Sequence, residues 1–211
     1  MPKLLFISDT HGHLQYPAAS EVIDSLYDMD IDAVICMGDI YEMELALAKT
    51  IADGMDVPIY GIPGNHEPKT AVSEFGIKNI HGKVVEICGV KIAGIGGCPR
   101  YKNDDARLFI TDEESISLAS NMEKADILVT HSPSYQGFPT GSPAHKGLKG
   151  IDEYIRKNKP RYHFYGHLHS RDVKNFTVKE GFFKRKAITK QIGVYKMALF
   201  DTETGNTDHL F

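Results

Sequence analysis

The sequence predicts an α/β fold built around a mixed sheet, and two features carry that prediction. Short apolar runs alternate with longer helical segments through the first part of the chain, the βαβαβ rhythm of parallel strands covered by helices. Further on, two apolar runs are separated by only Cys88-Gly89, which is hairpin spacing and brings antiparallel pairing into the sheet.

Taken in order, Leu4 to Ile7 within "LLFIS" form a first buried strand, residues 17–29 a helix, "AVICMG" a second strand, residues 42–53 a second helix and "VPIYGIPG" a third strand. Residues 83–87 and 90–95 are the hairpin arms. A helical segment over 112–123 leads to "DILVTH", and another over 147–158 leads to "YHFYGHLH". The stretch from "NFTVKEG" to "VYKMALFD" reads as short antiparallel strands. Residues 171–190 carry seven Lys or Arg against two acids, a run that a solvated strand edge explains better than a nucleic-acid patch. No repeat, low-complexity segment or linker interrupts the chain, so residues 1–211 are expected to form a single domain with a sizeable core.

Composition narrows the class. With 42% hydrophobic and 25% charged residues and a net charge of −4, the chain has an ordinary globular balance and no global attraction to nucleic acid or an anionic membrane. No apolar run approaches the ~20 residues of a membrane span, and no signal-like segment opens the sequence. A cytoplasmic protein is expected. Cys36, Cys88 and Cys98 are odd in number and widely spaced, which argues against a disulfide framework. Cys36 and Cys88 lie in apolar runs and are expected to be small core residues.

Five apolar runs share one habit: each delivers Asp, Asn or His where it leaves the core. The first ends on Asp9, His11 and His13, the next on Asp39, and the others on Asn65 and His66, on His131, and on His167 and His169. Asp9 and His11 share a face of an extended segment and would either pair with each other or share a cation. In open α/β sheets the carboxyl ends of neighbouring strands converge on one rim, where ligands bind. His13 aside, that rim would crowd two Asp, one Asn and five His together, and a metal relieves both the repulsion and the unpaired polar groups. Carboxylate, amide oxygen and imidazole without thiolate suit Mn, Fe, Co, Ni or Zn. Seven potential ligands exceed the needs of one ion, whereas two ions sharing a carboxylate fit the number. Gly38, Gly64 and Gly166 stand just before ligands and suit tight turns there.

The motifs "DTHG", "GD", "GNHE", "TH" and "GHLH", in this order from residue 9 to residue 169, resemble the calcineurin-like metallophosphoesterases. "GIGGCPRY", "THSPS", "PAHKGLKGIDEYI" and "KPRYHFYGHLH" are similar to small single-domain bacterial and archaeal members. The resemblance implies a four-layer α/β/β/α sandwich with two mixed sheets. It implies one metal at Asp9, His11 and His169, another at Asn65, His131 and His167, and Asp39 as the bridge. Glu67 stands where the family often has Asp, a position that supports the site from outside the metal shell. His66 is implied to contact the phosphoryl group or protonate the leaving oxygen, a task suited to an imidazole of near-neutral pKa.

The implied reaction is phosphoester hydrolysis by a metal-bound hydroxide at a binuclear centre, with Mn the first choice of metal and Asp39 and His66 central to the chemistry. A small phosphodiester is the expected substrate. A phosphomonoesterase or protein phosphatase is the nearest alternative, ahead of a nuclease or a non-catalytic scaffold. His13 is expected to face away or support its loop. His145, in the loop after His131, is open between a substrate role and a surface one, and Arg100 and Tyr101 between a phosphate clamp with a stacking surface and simple loop exposure. His81, His163 and His209 belong to no constellation.

Overall fold

The computed structural model describes residues 1–14, 20–138, 141–180 and 185–211. One sheet contains β1 (Lys3–Ser8), β2 (Ala33–Cys36), β3 (Ile59–Gly61) and β4 (Lys78–Asn79), all parallel, with β13 (Lys196–Asp201) antiparallel to β1 and β14 (Thr207–His209) antiparallel to β13. The other runs β11 (Val173–Glu180), β12 (Arg185–Gly193), β10 (Tyr162–Tyr165), β9 (Ile127–Thr130), β6 (Val90–Ile95) and β5 (Lys83–Ile87). Its four inner strands are parallel and its two edges antiparallel. Two short strands, β7 (Cys98–Pro99) and β8 (Phe109–Ile110), pair separately.

Alternation along the strands builds the layers. Leu4 and Phe6 of β1 and Ala33 and Ile35 of β2 face the second sheet, where they meet Ile127, Val129 and Phe164. Leu5, Ile7, Val34 and Cys36 point the other way, onto α1 (Ser20–Leu26), α2 (Glu42–Gly54) and α3 (Ala71–Glu74). On the far side of the second sheet, Ala93, Ile95 and Leu128 pack on α4 (Asp112–Asn121) and α5 (Lys149–Asn158). The result is a four-layer α/β/β/α sandwich. Strands buried on both faces read as unbroken apolar runs, which is why these segments show little polar alternation. Phe6 stacks on Phe164 at 4.3 Å between centroids, and Phe200 meets Phe164 edge-on at 4.8 Å, locking the sheets together.

Several expectations need correction. Cys88 is exposed and not in the core. The two-residue hairpin sets Cys88 and Gly89 at φ 47° and 82°, as a tight primed turn requires, and carries the thiol off the sheet. The late strands are not uniformly antiparallel: β11 reverses the chain at the sheet edge, so β12 returns parallel to β10. The last helix starts at Lys149, because Gly147 at φ 76° and the extended Leu148 delay it. The 112–123 segment stops being helical at Asn121, where Met122 turns extended. The first helix ends at Leu26, three residues early, and residues 17–19 lie outside the described residues. The basic run falls in part on β11, the outermost strand of the second sheet.

Candidate metal centre

The carboxyl ends of β1, β2, β3, β9 and β10 meet at one rim, and backbone hydrogen bonds tie their loops together. Asp9 N–H donates to Gly38 O at 3.0 Å, His11 N–H to Asp39 O at 3.3 Å and Gly166 N–H to His131 O at 2.9 Å. The first and second sheets are joined directly, since the His167 amide donates to both oxygens of Asp9 at 3.0 and 2.9 Å. Asp9, His11, Asp39, His167 and His169 all have φ between 44° and 67°, a region that costs an L residue roughly 1–2 kcal/mol. Such strain persists only where the surroundings over-determine it. Gly38 and Gly64 lie back to back, and a Cβ on Gly38 would sit 2.5 Å from the Gly64 backbone. Close approach of these two turns is what brings Asp39 beside Asn65.

The side chains form two groups of ligand atoms, Asp9 with His11 and His169, and Asp39 with His131 and His167, each within 4.8 Å of one another. Asn65 joins the second, its Oδ1 3.0 Å from His131 Nε2. Asp39 lies between them. Its Oδ1 accepts from the Asn65 and His66 amides at 2.8 and 2.9 Å, which leaves Oδ2 facing the cluster. That oxygen is 3.5 Å from His131 Nε2, 3.7 Å from His11 Nε2 and 3.8 Å from His66 Nε2.

The donor set fits a transition cation. His11 Nε2 and His169 Nε2 point at each other 3.0 Å apart, an arrangement of two basic nitrogens that a shared cation satisfies better than a single proton. His131 Nδ1 is 2.9 Å from the Met37 carbonyl, which can only accept, so Nδ1 carries the hydrogen and Nε2 is left to the cleft. By the same reasoning His167 donates from Nε2 to Ala144 O at 2.9 Å and offers Nδ1.

Charge within the metal-free chain follows from burial and these neighbours. Burial opposes ionisation of Asp39, yet the charge and hydrogen bond of His131, with His66, hold its carboxyl well below the usual range. Burial likewise opposes a charge on His131, but Asp39 and Asp9 push it up to about 10. Asp9 is raised to about 6 by burial and Glu67 to about 7 by burial and the Asp39 charge, while burial beside His131 lowers His167 to about 3.

The remaining sequence-selected residues are placed as follows. His66 lines a cleft of about 610 Å³ together with Asp39, His167 and His169, and its ring is 4.9 Å from that of His11. His145 lines the same cleft, 4.9 Å from the His167 ring, with Nδ1 2.9 Å from Ser142 Oγ. His13 is exposed and outside both groups. Arg100 and Tyr101 are not among the residues lining the cleft. The Arg100 guanidinium donates to Phe109 O at 3.1 Å and to Glu114 at 3.4 Å beside a separate cavity, and Tyr101 packs edge-on against Phe109.

With this geometry in view, the profile of the calcineurin-like phosphoesterases matches residues 2–171. The chain belongs to that family. Among curated relatives, the DNA double-strand break repair protein Mre11 of Methanosarcina mazei is 30% identical over 127 residues, which is 47% of this chain and 21% of that protein. An uncharacterized protein of Haemophilus influenzae is 31% identical over 106 residues, 44% of this chain and 42% of that one. The chain thus spans about a fifth to two fifths of the length of these relatives. One solved structure superposes with a TM-score of 0.69 at 13% identity over 100% of both chains, a likeness of fold alone. Vps29 of Entamoeba histolytica, solved with Zn, matches 97% of this chain and 88% of its own at 15% identity and a TM-score of 0.49.

In this calcineurin-like phosphoesterase, buried residues behind the ligands hold the rim in place, and Glu67 is the one of them that a motif announces. Buried Glu44, at the third position of α2, accepts from Thr10 Oγ1 at 2.6 Å, from the Leu14 amide at 2.7 Å and from the Tyr41 amide at 3.0 Å, and so fixes the loop that carries His11. The legible signal was a Glu in a helix's first turn, directly after the Asp39 loop. Glu67 accepts from the Gly64 amide at 2.5 Å and from the Asp39 amide at 3.0 Å, anchoring the two glycine turns to each other. His163 is buried in β10, with Nε2 2.8 Å from Thr130 Oγ1 and Nδ1 3.2 Å from Gln191 Oε1. Nothing in its sequence surroundings marked it.

Proposed function

We propose that this chain is a metal-dependent phosphoester hydrolase that holds two divalent transition cations, Mn first among them. Asp9, His11 and His169 would hold one, Asn65, His131 and His167 the other, and Asp39 Oδ2 would serve both. The observation that carries this reading is the position of Asp39, with one oxygen saturated by backbone amides and the other central to three imidazoles. When bound, the cations supply an activated water and neutralise the phosphoryl oxygens.

The chain's own residues do the rest. The Asn65 and His66 amides fix the Asp39 carboxylate, and Met37 O fixes the His131 tautomer, so the ligand atoms are set before substrate arrives. His66 lines the cleft beside Asp39, and among the described residues its ring has no backbone partner, so it is free to deliver a proton to a departing alkoxide. A diester is favoured because a cleft of about 610 Å³ leaves room for a second ester arm beyond the phosphoryl group. The kinship with proteins named for DNA double-strand break repair also points to phosphodiester chemistry, although the chain matches only 21% of their length.

Protein reconstituted with Mn²⁺ should hydrolyse bis-p-nitrophenyl phosphate with higher kcat/KM than p-nitrophenyl phosphate. Clear preference for the monoester would replace the diesterase with a phosphatase. No hydrolysis of either ester with Mn, Fe, Co, Ni or Zn would remove the catalytic reading.

A further inference from the structure

The cleft is lined by two residues that the proposed phosphoryl chemistry leaves unused. Phe138 and Lys174 line it together with the candidate ligands Asp39, His167 and His169, with Lys174 Nζ 3.9 Å from the centre of the Phe138 ring. Phe138 is itself buried, and its ring lies 4.6 Å from that of Tyr165, so the surface beneath the ammonium is fixed. Lys174 sits on edge strand β11, paired in register with Gln191. On the same strand Phe176 and Val178 pack into the layer formed with α4 and α5. By the two-residue repeat, position 174 belongs to the same face as Phe176, where an apolar residue would continue the pattern, but at the strand's start that face is exposed. A lysine stands there instead, at the point where the strand reaches the cleft. Such a break in local consistency is expected at functional positions.

No carboxylate among the described residues pairs with this ammonium, which rests on an aromatic face that attracts the cation without neutralising it. The ligand cluster already answers the charge of one phosphoryl group. A second cationic group in the same cleft, outside the ligand cluster, matches a further anion, and phosphate is the group for which a lysine point charge is well suited. We propose that Lys174 selects phosphoesters that carry a second phosphate on the ester arm retained after cleavage. This inference rests on the phosphoesterase reading given above.

The test compares two chromogenic substrates that differ only in that phosphate: the p-nitrophenyl ester of thymidine 5′-phosphate and the same ester bearing a 3′-phosphate. With Mn²⁺-loaded protein the second should have the higher kcat/KM by about tenfold, the effect of one charge-assisted contact, and the preference should shrink as ionic strength rises. In Lys174→Met the ratio should fall to near one, and Lys174→Arg should restore part of it. Calorimetry of thymidine 3′,5′-bisphosphate against thymidine 5′-phosphate gives a readout that needs no turnover. If neither ester is cleaved but the bisphosphate binds more tightly in a Lys174-dependent manner, the phosphoesterase reading fails and the assignment of Lys174 stands. If the esters are cleaved without preference, or the preference survives in Lys174→Met, the assignment of Lys174 is overturned. Absence of both turnover and differential binding overturns both.

Discussion

Asp39 is positioned so that its two oxygens have different work, and a single atom exchange separates them. Asp39→Asn keeps an oxygen to accept from the Asn65 and His66 amides but removes the charge at the centre of the cluster. The variant should fold, with an unchanged circular dichroism spectrum, while metal content measured by atomic emission falls below two ions per chain and hydrolysis disappears. An active variant carrying two ions would show that this oxygen is not shared. His66 makes the complementary case, because its Nε2 lies 3.8 Å from Asp39 Oδ2 yet its role in the proposal is proton delivery. His66→Ala should retain both metals and lose turnover by ~10²–10⁴-fold on alkyl esters, with a smaller loss on nitrophenyl esters whose leaving group needs little protonation. Equal losses on the two ester types would assign His66 to holding the phosphoryl group instead.

At the scale of elements, the start of α2 is coupled to the end of β1 through one buried carboxylate. Glu44→Ala would strand the buried Thr10 Oγ1 and Leu14 amide, while the Tyr41 amide can turn to solvent, and an unsatisfied buried donor costs about 1–3 kcal/mol. Urea unfolding should report a loss of about 3 kcal/mol. Because that loop carries His11, the metal proposed to sit with Asp9 and His169 should weaken more than the other, visible as a split in the Mn²⁺ binding isotherm. Uniform weakening of both metals would mean that Glu44 supports the fold without directing the loop. Which parts of the site were readable follows the same boundary between local and non-local cause. A strand that ends on Asp, Asn or His advertises itself, so all seven candidate ligands and His66 could be picked out from adjacent residues. The hairpin over 83–95 was legible because its turn is only two residues long. Lys174 was not, since a lysine on an edge strand looks like solvent-facing charge until the packing of Phe176 and Val178 shows which way that strand faces. Arg100 was misleading for a related reason: the Phe109 carbonyl and Glu114 that engage it lie nine and fourteen residues further along the chain.

For the molecule as a whole, the family and the four-layer arrangement were readable from five motifs in order, while the polar interior of the second sheet was not. His163 buries a neutral imidazole there, lowered to about 4 by burial against an ordinary 6.5. Its folded pKa lies below its unfolded one, so between pH 6.5 and about 4 the unfolded chain binds the extra proton. The stability it contributes is therefore full above pH 6.5 and is lost progressively as pH falls toward 4, by about 3 kcal/mol in total. His163→Gln removes this titration. Denaturant unfolding of metal-free protein should show the stability gap between wild type and variant closing by about that amount from pH 7 to pH 4. A gap that stays constant would place the ring in a wetter environment than its burial indicates.

The pairing of β13 with β1 bears on how far along the chain the rim is anchored. Lys3 is in register with Asp201 and Ser8 with Lys196, so the strand that delivers Asp9 and His11 has one neighbour close in sequence and the other nearly two hundred residues away. Pairing at such separation carries a high loop-closure cost and favours slow folding. The position of Asp9 and His11 is therefore set by residues remote from every motif that contains them.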